Sequence, residues 1–129
     1  MKLNNKGQSL VMFVLLIPLF LLILAMVVDI GNLINTKVEL NSVNKLVVSS
    51  GLDDINNDNL EDELKILLIK NYGDIDSYEI NVNSNRITIV LEDYSKSIFG
   101  NIIGNDGYKV ESKYIGYIDN DKKKIEKVK

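Results

Sequence analysis

The sequence predicts an α+β fold in which one long N-terminal helix precedes a small domain with a second helix and an antiparallel three-stranded sheet. Three observations predict this fold. An apolar run extends from Leu10 to Val28 without a charged or polar side chain. Apolar residues then recur at steps of three and four as far as Val47, which is the spacing of one helix face. Between Tyr78 and Ile118, three stretches alternate apolar and polar residues, as half-buried strands do.

The apolar run is long enough to cross a membrane. Its 19 residues span about 28 Å as a helix, close to the hydrocarbon core of about 30 Å. A small domain has too little protein to surround a buried helix of this kind. A secretory signal that is removed whole is the other alternative, but the run exceeds the usual length of about 7–15 residues, and no small-x-small cleavage site follows it. We therefore expect a membrane helix.

The charged residues on either side of the run indicate its orientation. Lys2 and Lys6 precede it, and Asp29 is the first charge after it. The positive-inside rule then places the N-terminus in the cytoplasm and the rest of the chain outside. Pro18 is expected to kink the helix, because proline removes one helical hydrogen bond. Asp29 either marks the membrane boundary or pairs with a charge on a neighbouring subunit.

The helix is predicted to continue beyond the membrane as an amphipathic segment and to stop at Gly51. Its apolar stripe needs a partner surface, which is either the chain's own small domain or a sister helix. The predicted organisation is a leader at 1–7, the long helix at 8–51 (membrane-spanning to about residue 28), a small extracytoplasmic α/β domain at 52–118, and a charged tail at 119–129. The stripe consists of Leu33, Leu40, Val43 and Val47.

Within the small domain, a helix is predicted from Leu60 to Asn71, with Asn59 as its N-cap. A β-hairpin is predicted over 77–92, and residues 98–107 read as a loop with one helical turn. The third strand is predicted from Tyr108 to Ile118. The charge-rich tail after it is expected to be solvated and disordered.

Composition excludes several classes of function. The chain contains no cysteine and no histidine, which rules out disulfides, zinc sites and catalysis by a thiolate or imidazole. The polar segment Asp53–Asn59 lacks the regular spacing of a calcium loop. We expect no metal, no cofactor and no enzymatic activity. The acidic middle of the chain also argues against a nucleic-acid partner.

The order of these features resembles the type IV pilin and pseudopilin plan, and more closely the TadE/TadG-like proteins of Tad (Flp) pilus assembly. Their N-terminal pattern has a basic residue and Gly, an apolar run with Pro, Asp-aromatic-Gly, and a helix with a Leu-Gln/Asn step. The resemblance covers about residues 6–51 and implies a pilin-like fold. The matching residues are Lys6, Gly7, Phe13, Pro18, Asp29, Gly31, Leu40 and Asn41.

This resemblance implies that a prepilin-type peptidase recognises Lys6, Gly7 and Gln8 and cuts after Gly7. One position departs from the pattern, because Met12 stands where the family usually has Glu. That Glu is thought to pair with the N-terminal amine of a neighbouring subunit. Three explanations are open: the protein stays outside a filament, it occupies a tip, or Asp29 or another protein supplies the charge.

Two functions from different classes follow. The first is a minor pilin or pseudopilin-like subunit of a Tad-type pilus or secretion machine, located in the cell membrane or the pilus. Its partners would be the membrane, other pilus-assembly subunits and the prepilin peptidase. The alternative is a single-pass, signal-anchored binding module that is neither processed nor assembled. The residues expected to contact other subunits are Met12, Phe13, Pro18, Asp29, Gly31, Leu33, Leu40, Val43 and Val47.

Overall fold

The structure, a computed structural model, describes residues 5–105 and 107–128. It has the predicted α+β class, with one long helix followed by a small domain. Residues 1–4 of the predicted leader lie outside the described residues. The elements in chain order are α1 (Asn5–Asp53), α2 (Leu60–Tyr72), β1 (Ser77–Val82), β2 (Arg86–Lys96), α3 (Ile98–Ile102), β3 (Gly107–Asp119) and β4 (Lys122–Lys127).

The strands form one antiparallel sheet in the order β1-β2-β3-β4. Each strand pairs with the next one along the chain, so the sheet is a meander. The register places Ile80 opposite Ile89, and Ile89 opposite Tyr114. The predicted hairpin and third strand are therefore present, and β2 and β3 run several residues beyond the hairpin.

The prediction of three strands was wrong, because residues 122–127 form a fourth. Asn120 and Asp121 both have positive φ, 51° and 62°, and make the tight turn from β3 into β4. Asn and Asp tolerate this left-handed conformation better than most residues. In β4 the lysines point to solvent while Ile125 packs against the core. The prediction failed because the lysine-rich sequence of this edge strand has the composition of a disordered tail.

The core lies between the sheet and the two long helices. In β2, the buried apolar side chains are Ile87, Ile89 and Leu91, which alternate with half-buried or exposed residues. The second half of α1 and the inner face of α2 cover this side of the sheet. The helix residues of the core are Leu40, Val43, Val47, Val48, Leu52, Leu60, Leu64 and Leu68.

Two glycines bring α1 close to the sheet. A Cβ on Gly51 would lie 2.5 Å from Ile87 Cδ1 and 3.1 Å from Leu64 Cδ1. A Cβ on Gly116 of β3 would collide with Val48. Gly51 was predicted to stop the helix, but α1 continues through it to Asp53, so its role is close packing rather than termination.

The prediction that the Asn59 side chain caps α2 was also wrong. Asn59 precedes the helix, but its side chain makes no capping hydrogen bond. Its backbone, at ψ 21°, is not in the extended conformation that lets a cap side chain reach back to the helix. Three acidic residues in the first turn, Glu61, Asp62 and Glu63, instead complement the positive end of the helix dipole.

Candidate assembly helix and its junction with the sheet domain

We use the name head domain for α2, α3 and the four-stranded sheet. Helix α1 has two halves, and it is the second that packs on the core of this domain. Between residues 6 and 28, Ala25 alone is buried, and every other side chain is exposed. This part of α1 is long and apolar enough to cross a membrane, and it is not enclosed by protein as a soluble core helix would be. The combination indicates a single membrane anchor.

The residues of the predicted processing site lie in the first turns of α1. Lys6, Gly7 and Gln8 are helical and exposed. A Cβ added to Gly7 would meet no atom within 4 Å. Glycine costs about 1 kcal/mol relative to alanine inside a helix. Packing within the described chain therefore gives no reason for glycine at this position.

The other predicted contacts in the apolar half are available to neighbours. Met12, Phe13 and Pro18 are exposed, and α1 continues through Pro18 as one helix. Gly31, just beyond the apolar run, is exposed as well, and a Cβ there would meet no atom within 4 Å.

Asp29 is bound within the chain. Its carboxylate is 3% exposed and accepts hydrogen bonds from the Ser97 hydroxyl at 2.5 Å, from Ile98 N–H at 2.6 Å and from Phe99 N–H at 3.1 Å. Ser97 is the N-cap of α3, and its hydroxyl accepts a bond from Gly100 N–H at 2.6 Å. Asp29 thus joins Ser97 in satisfying the N–H groups at the start of α3.

This arrangement changes the interpretation of Asp29. The sequence suggested either an interfacial residue or a charge that pairs with a neighbouring subunit. The structure gives the carboxylate partners in the head domain in place of a neighbouring subunit's charge, because α3 folds back onto α1 at this point, and this leaves the interfacial interpretation open. A Ser before a short helical segment signals a local cap, but no sequence pattern connects that segment with Asp29.

The predicted contact stripe lies mostly inside the protein. Leu40, Val43 and Val47 are buried in the core, and Leu33 is half-buried against it. The use of Leu40, Val43 and Val47 as contacts with a sister helix is therefore corrected, whereas Leu33 still borders an exposed groove. The stripe packs on the chain's own domain, which was the other partner that its spacing allowed.

A second apolar stripe on α1 was missed as a contact surface. Ile30, Ile34 and Val38 follow one another at steps of four and are 54%, 60% and 57% exposed. Ile34 and Val38 border a shallow, largely apolar groove that reaches Val110 at the start of β3. Since two sides of the helix carry apolar residues at helical spacing, only the placement of the sheet shows which side stays exposed.

A buried polar cluster positions the second half of α1 on the sheet. The Asn44 side-chain amide donates to the backbone carbonyls of Ile89 and Ser112, both at 3.1 Å. The Ser112 hydroxyl donates to Asn41 Oδ1 at 2.7 Å. These bonds join the helix to β2 and β3, so a shift of α1 along the sheet would break several buried hydrogen bonds together.

Residues 7–43 match the family model described as TadE-like protein. The chain carries a TadE-like segment. The match confirms, over this segment, the resemblance stated above. The TadE-like segment begins at Gly7, contains the exposed apolar half of α1 and Asp29, and ends at Val43 on the sheet. The comparisons with curated proteins and with solved structures gave no significant match.

Proposed function

We propose that the protein is a minor pilin or pseudopilin-like structural subunit of a Tad-type pilus or a related secretion machine. It is held in the cell membrane by the apolar half of α1, with the N-terminus in the cytoplasm and the head domain outside. The observation that carries this proposal is the exposed apolar surface of α1, which continues past the membrane boundary along Ile30, Ile34 and Val38.

The physics of assembly differs between the two parts of α1. Within the bilayer, helices associate by close packing, because lipid is as apolar as the side chains. Beyond Asp29 the stripe faces water, and its burial is favourable by about 25 cal/mol per Å² of apolar surface. A parallel helix of a neighbouring subunit covers both parts at once. Gly31, which lies beside the stripe, allows such a helix to approach closely.

The leader of residues 1–7 is proposed to be removed by a prepilin peptidase. This proposal is supported by the position of Gly7 in the TadE-like segment and by the absence of a packing reason for glycine there. A side chain at this position would crowd the peptidase site. Cleavage would leave Gln8 as the new N-terminus.

Because Met12 stands where the family usually has Glu, the new N-terminal amine of a neighbouring subunit has no carboxylate to pair with at this position. Asp29 is a poor substitute, because its carboxylate is already bound by three donors in the head domain. We therefore assign the charge pairing to another protein, or the subunit to a terminal position at which no pairing is needed.

The contact surface is tested by Ile34→Glu, with Ile66→Glu as the matched control. Ile66 lies on α2 and is 67% exposed, against 60% for Ile34. Both variants are expected to insert and fold, since both side chains face solvent. We expect Ile34→Glu to lose co-purification with other pilus subunits after cross-linking in native membranes, while Ile66→Glu keeps it. Equal co-purification of both variants would remove the stripe from the proposal.

Processing is tested by the intact mass of the protein from the native membrane. We expect an N-terminus at Gln8, and an unprocessed chain for Gly7→Leu. If the wild-type chain keeps Met1, the protein is instead a signal-anchored binding module. If the Gly7→Leu protein inserts into the membrane but does not assemble with other subunits, assembly depends on processing.

A further inference from the structure

We propose that α3 and the turn after it form a second membrane contact, in which Ile98, Ile102 and Ile103 insert into the lipid surface beside α1. The head domain would then touch the bilayer at two places, through the anchor and through this segment. The argument rests on the position of the segment, its exposed side chains and its charge.

The bonds of Asp29 fix the position of α3 relative to the membrane. Asp29 directly follows Val28, the last residue of the apolar run, so it marks the level at which the run ends. Ser97, Ile98 and Phe99 bind this carboxylate, which places the start of α3 at the same level.

From the burial of Ala25 we infer that α3 also covers the last turn of the apolar run. Ala25 lies one turn before Asp29 on the same side of α1, about 6 Å closer to the bilayer centre. It is the one buried side chain between residues 6 and 28, and α1 contacts α3. Protein that packs beside Ala25 lies within the lipid layer, because a bilayer surrounds a single anchor on every side that protein leaves free.

The side chains of the segment suit this location. Ile98, Ile102 and Ile103 are 51%, 63% and 67% exposed, an unfavourable arrangement in water for three large apolar residues in so short a segment. Residues 97–105 carry no charged side chain, and the exposed Lys96 precedes them. Apolar residues next to a lysine are typical of segments that lie in the lipid interface.

Lipid fits this surface better than a neighbouring subunit does. The segment starts beside Asp29, where the exposed apolar run of α1 ends, and that run already requires lipid. The stripe proposed for subunit contacts starts at Ile30, which points about 100° around the helix from Asp29. The two surfaces therefore serve different partners, and the lipid contact does not depend on assembly.

The experiment uses tryptophan as a reporter, since the natural chain contains none. Ile103→Trp and Ile102→Trp place the indole on the proposed contact. Ile66→Trp is the matched control, because Ile66 and Ile103 are both 67% exposed. Each full-length variant is reconstituted alone, at low protein density, into phosphatidylglycerol vesicles with or without bromine on the acyl chains.

We expect the emission of Ile103→Trp and Ile102→Trp to shift to shorter wavelength and to lose intensity in brominated vesicles. The emission of Ile66→Trp should do neither. The proposal fails if all three variants emit alike. It also fails if the α3 reporters shift without quenching and the shift vanishes on dilution of the protein, because a second copy would then cover the segment. These measurements contain no pilus partner, so their outcome is separate from that of the proposed function.

Discussion

The Asp29 carboxylate lies 2.5 Å from the Ser97 hydroxyl, although 68 residues separate the two along the chain. This bond connects the end of the membrane anchor with the start of α3. It ties the head domain to α1 at the end of the apolar run, in addition to the packing of the sheet on the second half of α1.

Asp29→Ala is expected to loosen α3. A hydrogen bond to a charged group contributes about 1.5–3 kcal/mol, and the variant loses the acceptor of three such donors. We expect faster amide hydrogen exchange at Ile98 and Phe99 in detergent or lipid. Asp74→Ala, which changes an exposed carboxylate, serves as the control. Unchanged exchange at both amides would show that the carboxylate does not hold α3.

Gly51→Val is expected to lower the free energy of unfolding of the head domain by about 1–3 kcal/mol, as overpacked core substitutions do. The added carbons would press on Ile87 of β2 and Leu64 of α2, because α1 lies close to both at this position. Gly31→Val is the matched control in the same helix, because a Cβ there meets nothing within 4 Å. Urea unfolding in detergent measures both. A similar stability of the two variants would mean that α1 can move away from the sheet without cost.

Tyr72→Phe is expected to lower stability by about 1 kcal/mol at neutral pH. The Tyr72 hydroxyl donates to Asp93 Oδ2 at 2.5 Å. Burial, the larger cause, and this hydrogen bond both raise the pKa of Tyr72 above its usual value. Tyrosine in unfolded chains has a pKa of about 10. Because the pKa of Tyr72 is raised in the folded state, the stabilisation by this hydrogen bond is complete below about pH 10 and is lost as pH rises through the folded-state pKa.

The stability difference between the wild-type chain and Tyr72→Phe should therefore be constant through neutral pH and shrink in strong alkali. Urea unfolding at several pH values measures it, and the ultraviolet absorbance of phenolate follows the ionisation. A difference that grows with alkaline pH would have the wrong sign for this bond.

The elements that depend on local pattern were predictable. The uninterrupted apolar residues predicted the first half of α1, and the alternation around Ile87 and Ile89 predicted the central strands. β4 was missed, since four lysines and a single half-buried position at Ile125 resemble a solvated tail. A tight turn at Asn120 and Asp121 was the signal that could have indicated it.

The contacts between distant segments were not predictable in the same way. Helical spacing showed that α1 has apolar residues on more than one side, but not that Leu40 and Val47 face the sheet while Ile34 stays exposed. A charge after an apolar run fits a membrane boundary in many proteins. That Asp29 holds α3 depends on how the whole sheet folds back along α1, which one sequence does not specify.

The continuity of α1 has a mechanical consequence. No loop separates the part in the membrane from the part in the core, so the helix acts as a rigid lever. From Asp29 to Leu52 its length is about 35 Å at 1.5 Å per residue. A change in tilt of about 20°, which is common for membrane helices, would swing the far end of the head sideways by about 12 Å. Force applied to the head domain would therefore pass directly into the apolar half of the helix.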